Sequence, residues 1–153
     1  MTLNKIFKNT LILISACLLL SACATQKTVT TDGSQMQGDV YTGTDTVKEL
    51  APGVPDRVFF ATNESILTTA SRETLRKQAE YLRKNSSMNI VLEGHADERG
   101  TREYNLALGE RRANAAKDYL MTYGISASRI SVISYGKERP VDSGSNTLAW
   151  SKN

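Results

Sequence analysis

The stretch Glu93-Gly94-His95-Ala96-Asp97-Glu98-Arg99-Gly100-Thr101-Arg102-Glu103-Tyr104-Asn105, running on to Leu108-Gly109-Glu110-Arg111-Arg112-Ala113, decides the reading of this chain. Ahead of it, Asn89 to Leu92 carries β-forming residues and reads as a strand. Behind it, Leu108, Ala116 and Leu120 recur at helical spacing, and Gly124 is placed to end that helix as its C′ residue. The spacing predicts a helix from about Tyr104 or Asn105. Asp97 therefore falls where a strand ends and a glycine-bearing loop begins. Asn105 and Arg112 are seven residues apart, nearly two full turns, so both lie on one helix face.

If the loop folds back, a carboxylate, an amide and a guanidinium converge at the start of the helix. Such a set fits a zwitterion. The carboxylate takes an ammonium, and a guanidinium takes a carboxylate through two parallel hydrogen bonds. Unpaired backbone N–H groups of the first helical turn add positive character. No serine or cysteine nucleophile stands beside a base in this stretch, and His95 is the chain's single histidine, which excludes a histidine-rich metal cluster. The arrangement argues for binding rather than turnover.

Outward from this stretch, Arg57 to Ala61 reads as a first strand. Leu75, Ala79 and Leu82 mark a helix over Thr69 to Lys84 that stops at Asn85-Ser86-Ser87, with Arg72, Glu73, Arg76 and Lys77 on its wet face. Arg129 to Tyr135 reads as a third strand, with Ile130 and Val132 on one face and Ile133 on the other. The order β-α-β-α-β implies an α/β sandwich, helices packed on a small mixed sheet, over residues 54–153. Trp150 is expected in its core, and Arg111 in solvent or in a sheet-side ion pair.

From Ala24 to about Gly53, Thr, Gln, Gly, Ser and Asp dominate without apolar periodicity, so residues 23–53 read as a flexible tether. About 30 residues of such chain have an r.m.s. span near 30 Å. Pro52, Gly53 and Pro55 mark the entry to the folded part. Before the tether, Lys5 and Lys8 precede an apolar run from Leu11 to Leu20, then Ser21 and Ala22. That is a secretory signal layout over residues 1–22. The run is shorter than the roughly 20 residues a spanning helix needs. The chain has two cysteines, and Cys17 lies inside the signal, so only Cys23 remains after cleavage and no intrachain disulfide framework is possible. The net charge is +3, with basic and acidic residues interleaved rather than forming the basic stripe of a nucleic-acid binder.

Two resemblances sharpen this reading. Leu20-Ser21-Ala22-Cys23 resembles the lipobox of bacterial lipoproteins, which implies lipid on the Cys23 sulfur and cleavage after Ala22. Ala24, where an aspartate would imply retention in the inner membrane, favours the outer membrane and a periplasmic-face anchor. The pattern Gly94-His95-Ala96-Asp97, Gly100, Asn105, Leu108, Arg112-Ala113 resembles the signature of OmpA-like peptidoglycan-binding domains. Ser134-Tyr135-Gly136-Lys137-Glu138-Arg139-Pro140 and the closing Trp150-Ser151-Lys152-Asn153 fit the lipoprotein branch of that family.

The resemblance implies a non-enzyme that holds the diaminopimelate stem of peptidoglycan without a cofactor or metal. Asp97 would bind the ammonium and Arg112 a carboxylate, with Asn105 contacting or orienting the stem. His95, Ala96 and the Gly100 loop would shape the pocket, and Phe60 would line it. It implies TolB and TolA as partners, in a link between outer membrane and wall during cell division. An alternative is another OmpA-like wall-binding lipoprotein with a regulatory or secretion role. Where the family carries an aspartate, Ala61 stands here, so a brace on that loop is expected to be missing. The family continues past Asn153 with two arginines and a last strand, so the sheet is expected to lack a strand and expose an edge.

Overall fold

The computed structural model describes residues 36–37, 40–43 and 47–153. The signal segment, the lipobox with Cys23 and much of the tether lie outside the described residues. The elements are β1 (Met36–Gln37), β2 (Val40–Tyr41), β3 (Glu49–Ala51), β4 (Val54–Pro55), α1 (Thr69–Lys84), β5 (Ile90–His95), α2 (Arg102–Thr122), a 3-10 turn (Ala127–Arg129), β6 (Ile130–Gly136) and α3 (Thr147–Ser151).

Local chemistry sets the helix boundaries. Thr68 caps α1, its hydroxyl accepting from the Ser71 N–H, and Arg83 and Lys84 complement the negative end of the helix dipole. At the far end the Asn85 side chain donates to the Tyr81 carbonyl, 2.8 Å. Thr101 caps α2 by accepting from the Tyr104 N–H, so the helix begins at Arg102, a little ahead of the expected start. Gly124 takes φ +84 just beyond the α2 C-cap, the left-handed conformation its position required.

β5 and β6 pair in parallel, Ile90 opposite Ile130 through Gly94 opposite Ser134, with an irregularity before His95 meets Gly136. A parallel pair needs a crossover, and α2 supplies it, lying on both strands. The approach is close because glycines face each other. A Cβ on Gly94 would lie 1.9 Å from the Gly109 carbonyl oxygen, and one on Gly109 would lie 2.4 Å from the Ser134 hydroxyl. Ser134 Oγ donates to the Leu106 carbonyl at 2.7 Å and fastens β6 to the same helix. The core gathers Leu75, Ala79 and Leu82 of α1 with Ala116 and Leu120 of α2, Ile125 and Ile130. Fully burying each leucine side chain contributes roughly 1.5–3 kcal/mol. Arg129 ties the end of α1 to the start of β5 through the carbonyls of Leu82, Asn85 and Met88.

Two expectations need correction. Arg57 to Phe60 is not a ladder strand. The segment has the right residues, but among the described residues no strand pairs with it or with the outer edge of β5. The sheet carrying the site is therefore two-stranded and parallel, not mixed, and the antiparallel pairs are the short β1–β2 and β3–β4 hairpins. A groove of about 480 Å³ runs along the unpaired edge, with Val58, Phe59 and Phe60 on one side and Val91 and Leu92 on the other. Val91 is 59% exposed.

The second correction concerns the stretch read as tether. Val40–Tyr41 and Glu49–Ala51 are paired, and Tyr41 is 1% exposed, its ring meeting Phe59 edge-to-face at 4.8 Å. One aromatic in a polar stretch creates no periodicity, and here its ring packs against Phe59 with the Lys152 ammonium 5.5 Å from its centre.

Candidate functional site

The site begins where β5 leaves the sheet. Ala96, 1% exposed, donates its N–H to the Gly136 carbonyl at 2.8 Å, so the strand stays registered until just before Asp97. The loop then turns sharply, and Gly100 takes φ +87, where an L side chain would be strained. Each flank of the loop is held. Asn105, 2% exposed, donates to the Arg99 carbonyl at 2.7 Å. Lys137 Nζ donates to the Gly100 carbonyl at 2.7 Å. The Trp150 indole N–H donates to Glu98 Oε1 at 3.0 Å.

Asp97 is covered by Arg99. Its Oδ1 accepts from the Arg99 backbone N–H at 3.0 Å and from Nε at 2.8 Å, and its Oδ2 accepts from Nη2 at 2.8 Å. The Arg99 guanidinium lies 4.4 Å from the centre of the Trp150 ring. Partial burial would raise the Asp97 carboxyl. The Arg99 hydrogen bonds and the charges of Arg99 and Arg112 outweigh that and hold it below its ordinary value. It is ionised at neutral pH.

Arg112, 5% exposed, sits at a crossroads of backbone. Nε donates to the Glu64 carbonyl at 2.8 Å, Nη1 to those of His95 at 2.8 Å and Asn153 at 3.2 Å, and Nη2 to that of Ala61 at 3.1 Å. Its guanidinium lies 5.3 Å from the centre of the Phe60 ring. Burial pushes it down to about 10, partly offset by the Asp97 carboxylate, so it stays charged at pH 7. Asp97 and Arg112 thus interact through space, while the hydrogen bonds of each go elsewhere.

The loop carrying Ala61 keeps a brace of a different kind. Its carbonyl, and that of Glu64, are held by Arg112, and the Asn63 side chain accepts from the Tyr104 hydroxyl. Asn63 takes φ 61, a left-handed conformation that asparagine tolerates.

The residues expected at the site divide into two groups. Asp97, Asn105, Ala96 and Gly100 belong to the loop and helix start, where Asn105 and Ala96 are buried braces. Phe60, His95 and Arg112 line the groove beside β5, to which Asp97 does not contribute. His95 donates through Nδ1–H to the Arg139 carbonyl at 3.0 Å, and its ring packs on Tyr135, 5.7 Å between centres. Arg112 joins the groups, with Asp97 in its field and Phe60 at its face. Arg111 is exposed, over the Tyr104 ring at 5.8 Å. Sequence reading missed Arg99, because a base two residues after an acid in a loop carries no spacing signature. It also placed Trp150 in the core. The ring is half-buried and backs the loop, because an indole N–H needs an acceptor and Glu98 supplies it.

A short parallel pair crossed by a capped helix, with an acidic loop between strand and helix, defines the class. A family model described as the OmpA family matches residues 59–153. The chain is 42% identical over 144 residues to the peptidoglycan-associated lipoprotein of Mesorhizobium japonicum, covering 94% of this chain and 86% of that one. It is 38% identical over 156 residues to the protein of the same description in Agrobacterium fabrum, covering 99% and 87%. Among solved structures, the peptidoglycan-associated lipoprotein of Burkholderia pseudomallei superposes with a TM-score of 0.61 at 35% identity, covering 63% of this chain and 81% of that one. The chain belongs to the OmpA family, in its peptidoglycan-associated lipoprotein group.

Proposed function

We propose that this chain is an envelope lipoprotein that binds peptidoglycan non-covalently through its stem peptide. The observation that carries the reading is the ionised Asp97 on a braced loop at the α2 start, in the field of the buried Arg112. The carboxylate receives the ammonium of a diaminopimelate residue. Of the five N–H groups of Arg112 four are committed to backbone carbonyls, so it offers a carboxylate its charge and one remaining N–H. Asn105, Ala96, His95, Gly100 and Phe60 hold these groups in place. Each charge-assisted hydrogen bond contributes about 1.5–3 kcal/mol, and many tethered copies on one wall add avidity.

The lipobox and the relatives' name, peptidoglycan-associated lipoprotein, support the envelope part of this reading, and the Tol partners are what the family resemblance implies. Lipid on Cys23 anchors the chain to the periplasmic face of the outer membrane, and the domain spans to the wall. TolB and TolA are its partners in a Tol-Pal assembly that keeps the envelope together at division. The site works by binding, with no catalytic step. The test is co-sedimentation of the purified chain with peptidoglycan sacculi, comparing wild type with Asp97→Asn and Arg112→Lys. Loss of sedimentation in a folded Asp97→Asn variant is expected, and undiminished binding would sink the assignment. Co-purification with TolB tests the partner reading separately.

A further inference from the structure

The Asp97 carboxylate is occupied. A carboxylate offers about four acceptor positions, and Arg99 uses three of them, through its backbone N–H, Nε and Nη2. An incoming ammonium brings three donors and no acceptor, and the one position left satisfies a single donor, so a fuller contact with Asp97 takes the place of the guanidinium. The displaced guanidinium then needs an anion. Arg112 cannot supply a two-pronged grip on a ligand carboxylate, because its prongs hold the carbonyls of Ala61, Glu64, His95 and Asn153. Arg99 has a 43% exposed side chain and can.

We propose that Arg99 is a specificity-determining residue: it guards Asp97 in the empty site, then turns to the carboxylate of a ligand whose ammonium replaces it, so the site selects a residue that ends in both charges. The inference rests on the reading of Asp97 as ammonium acceptor. Three features fit the exchange. The Arg99 backbone N–H keeps Asp97 oriented after the side chain leaves. The Trp150 ring, fixed through Glu98, gives the guanidinium a flat surface to slide on without leaving the site. The Arg99 side chain is 43% exposed while that of Asp97 is 15% exposed, so the guanidinium is the half of the pair free to move into solvent. A ligand with an ammonium alone, such as a lysine side chain, still has to displace Arg99 but returns no anion to it.

The experiment is calorimetric titration of the full chain with two wall tripeptides that differ in one carboxylate: Ala-Glu-meso-diaminopimelate and Ala-Glu-Lys. Wild type is expected to prefer the diaminopimelate peptide by roughly tenfold, the value of one charge-assisted contact. Arg99→Gln is expected to bring the two within about twofold, with the lysine peptide gaining because Asp97 is uncovered. A tenfold preference that survives in Arg99→Gln overturns the proposal. So does equal weakening of both peptides, which would make Arg99 a loop brace only. Asp97→Asn separates the two readings: loss of both peptides upholds the ammonium acceptor whatever Arg99 does, whereas unchanged binding removes that acceptor and this inference with it. Circular dichroism of each variant establishes that it is folded.

Discussion

β5 and the segment Arg57–Phe60 lie on opposite sides of one groove and are rich in the same residue types, yet they are held by different means. Ile90 to Gly94 pairs residue by residue with β6 and is pressed on by α2. Val58, Phe59 and Phe60 have no ladder. Isolated anchors from other elements hold their stretch: Ser71 Oγ to the Phe59 carbonyl at 2.6 Å, Gln78 Nε2 to the Pro55 carbonyl at 2.7 Å, Arg112 to Ala61 and Glu64, and the Tyr41 ring. β-propensity is a preference for a pleated, partnered surface. Where the partner edge is absent among the described residues, residues of the same types form no ladder and side chains do the fixing.

The comparison breaks first at the glycine contact. Gly94→Ala places a Cβ 1.9 Å from the Gly109 carbonyl oxygen, backbone against which nothing flexible can yield. Separation of α2 from β5 is expected, with a loss of more than about 3 kcal/mol, read as a collapse of the urea midpoint. If the variant melts like wild type, the close packing of helix on strand is wrong.

Next comes Arg112→Met. It keeps much of the volume but releases four carbonyls. Partial rehydration of the outer ones leaves an expected loss of about 2–3 kcal/mol. Hydrogen exchange should speed in residues 61–64 and at the end of β5, while the α1 core stays protected. A uniform change would mean that the two regions are not distinct. A smaller and more local effect is expected of Ser71→Ala, which removes the hydrogen bond to the Phe59 carbonyl and the one Ser71 Oγ accepts from the Thr68 hydroxyl, and costs about 1 kcal/mol. Exchange should rise at residues 57–60 and not in β5.

The same contrast explains what the sequence disclosed. Both long helices were legible because Leu75, Ala79, Leu82, Leu108, Ala116 and Leu120 carry the period of a buried face and Gly124 marks a stop, and the two paired strands were legible in their β-forming runs between and after them. The placement of the candidate groups was legible where spacing alone sets it: Asp97 after a strand, Asn105 and Arg112 on one helix. Pairing was not legible for Arg57–Ala61, since a strand needs an edge that its own residues do not encode. Nor were the uses of individual polar groups. Spacing suggested a ligand-binding guanidinium at Arg112 but did not disclose that it also clamps four carbonyls. Arg99 looked like a loop residue and covers Asp97. Burial decides between such roles, and burial follows from where α2 lands on the sheet, which Gly94 and Gly109 set together.

The smallest expected effect concerns acid. Asp97 has a folded-state carboxyl held below the ordinary value of 3.8 by Arg99 and, at longer range, Arg112. A depressed carboxyl contributes stability that is fully present above about pH 4 and is lost as pH falls through its folded value. Arg99 is exposed, so solvent screening limits the contribution to under about 1 kcal/mol. Urea unfolding from about pH 5 to 2 should therefore show a steeper acid loss in wild type than in Asp97→Asn, and added salt should shrink the difference. The other lowered carboxyls lie elsewhere: Asp56 beside Arg57 on the anchored side, Glu73 beside Arg76 on the wet face of α1, and Asp142, held by the Gly144 N–H and by Lys152, in the loop before α3. They should leave the residual slope in the variant unchanged. Identical slopes in the two proteins would mean that the Asp97–Arg99 contact does not persist in solution, and the two-region picture would then lose its site loop while keeping its strands.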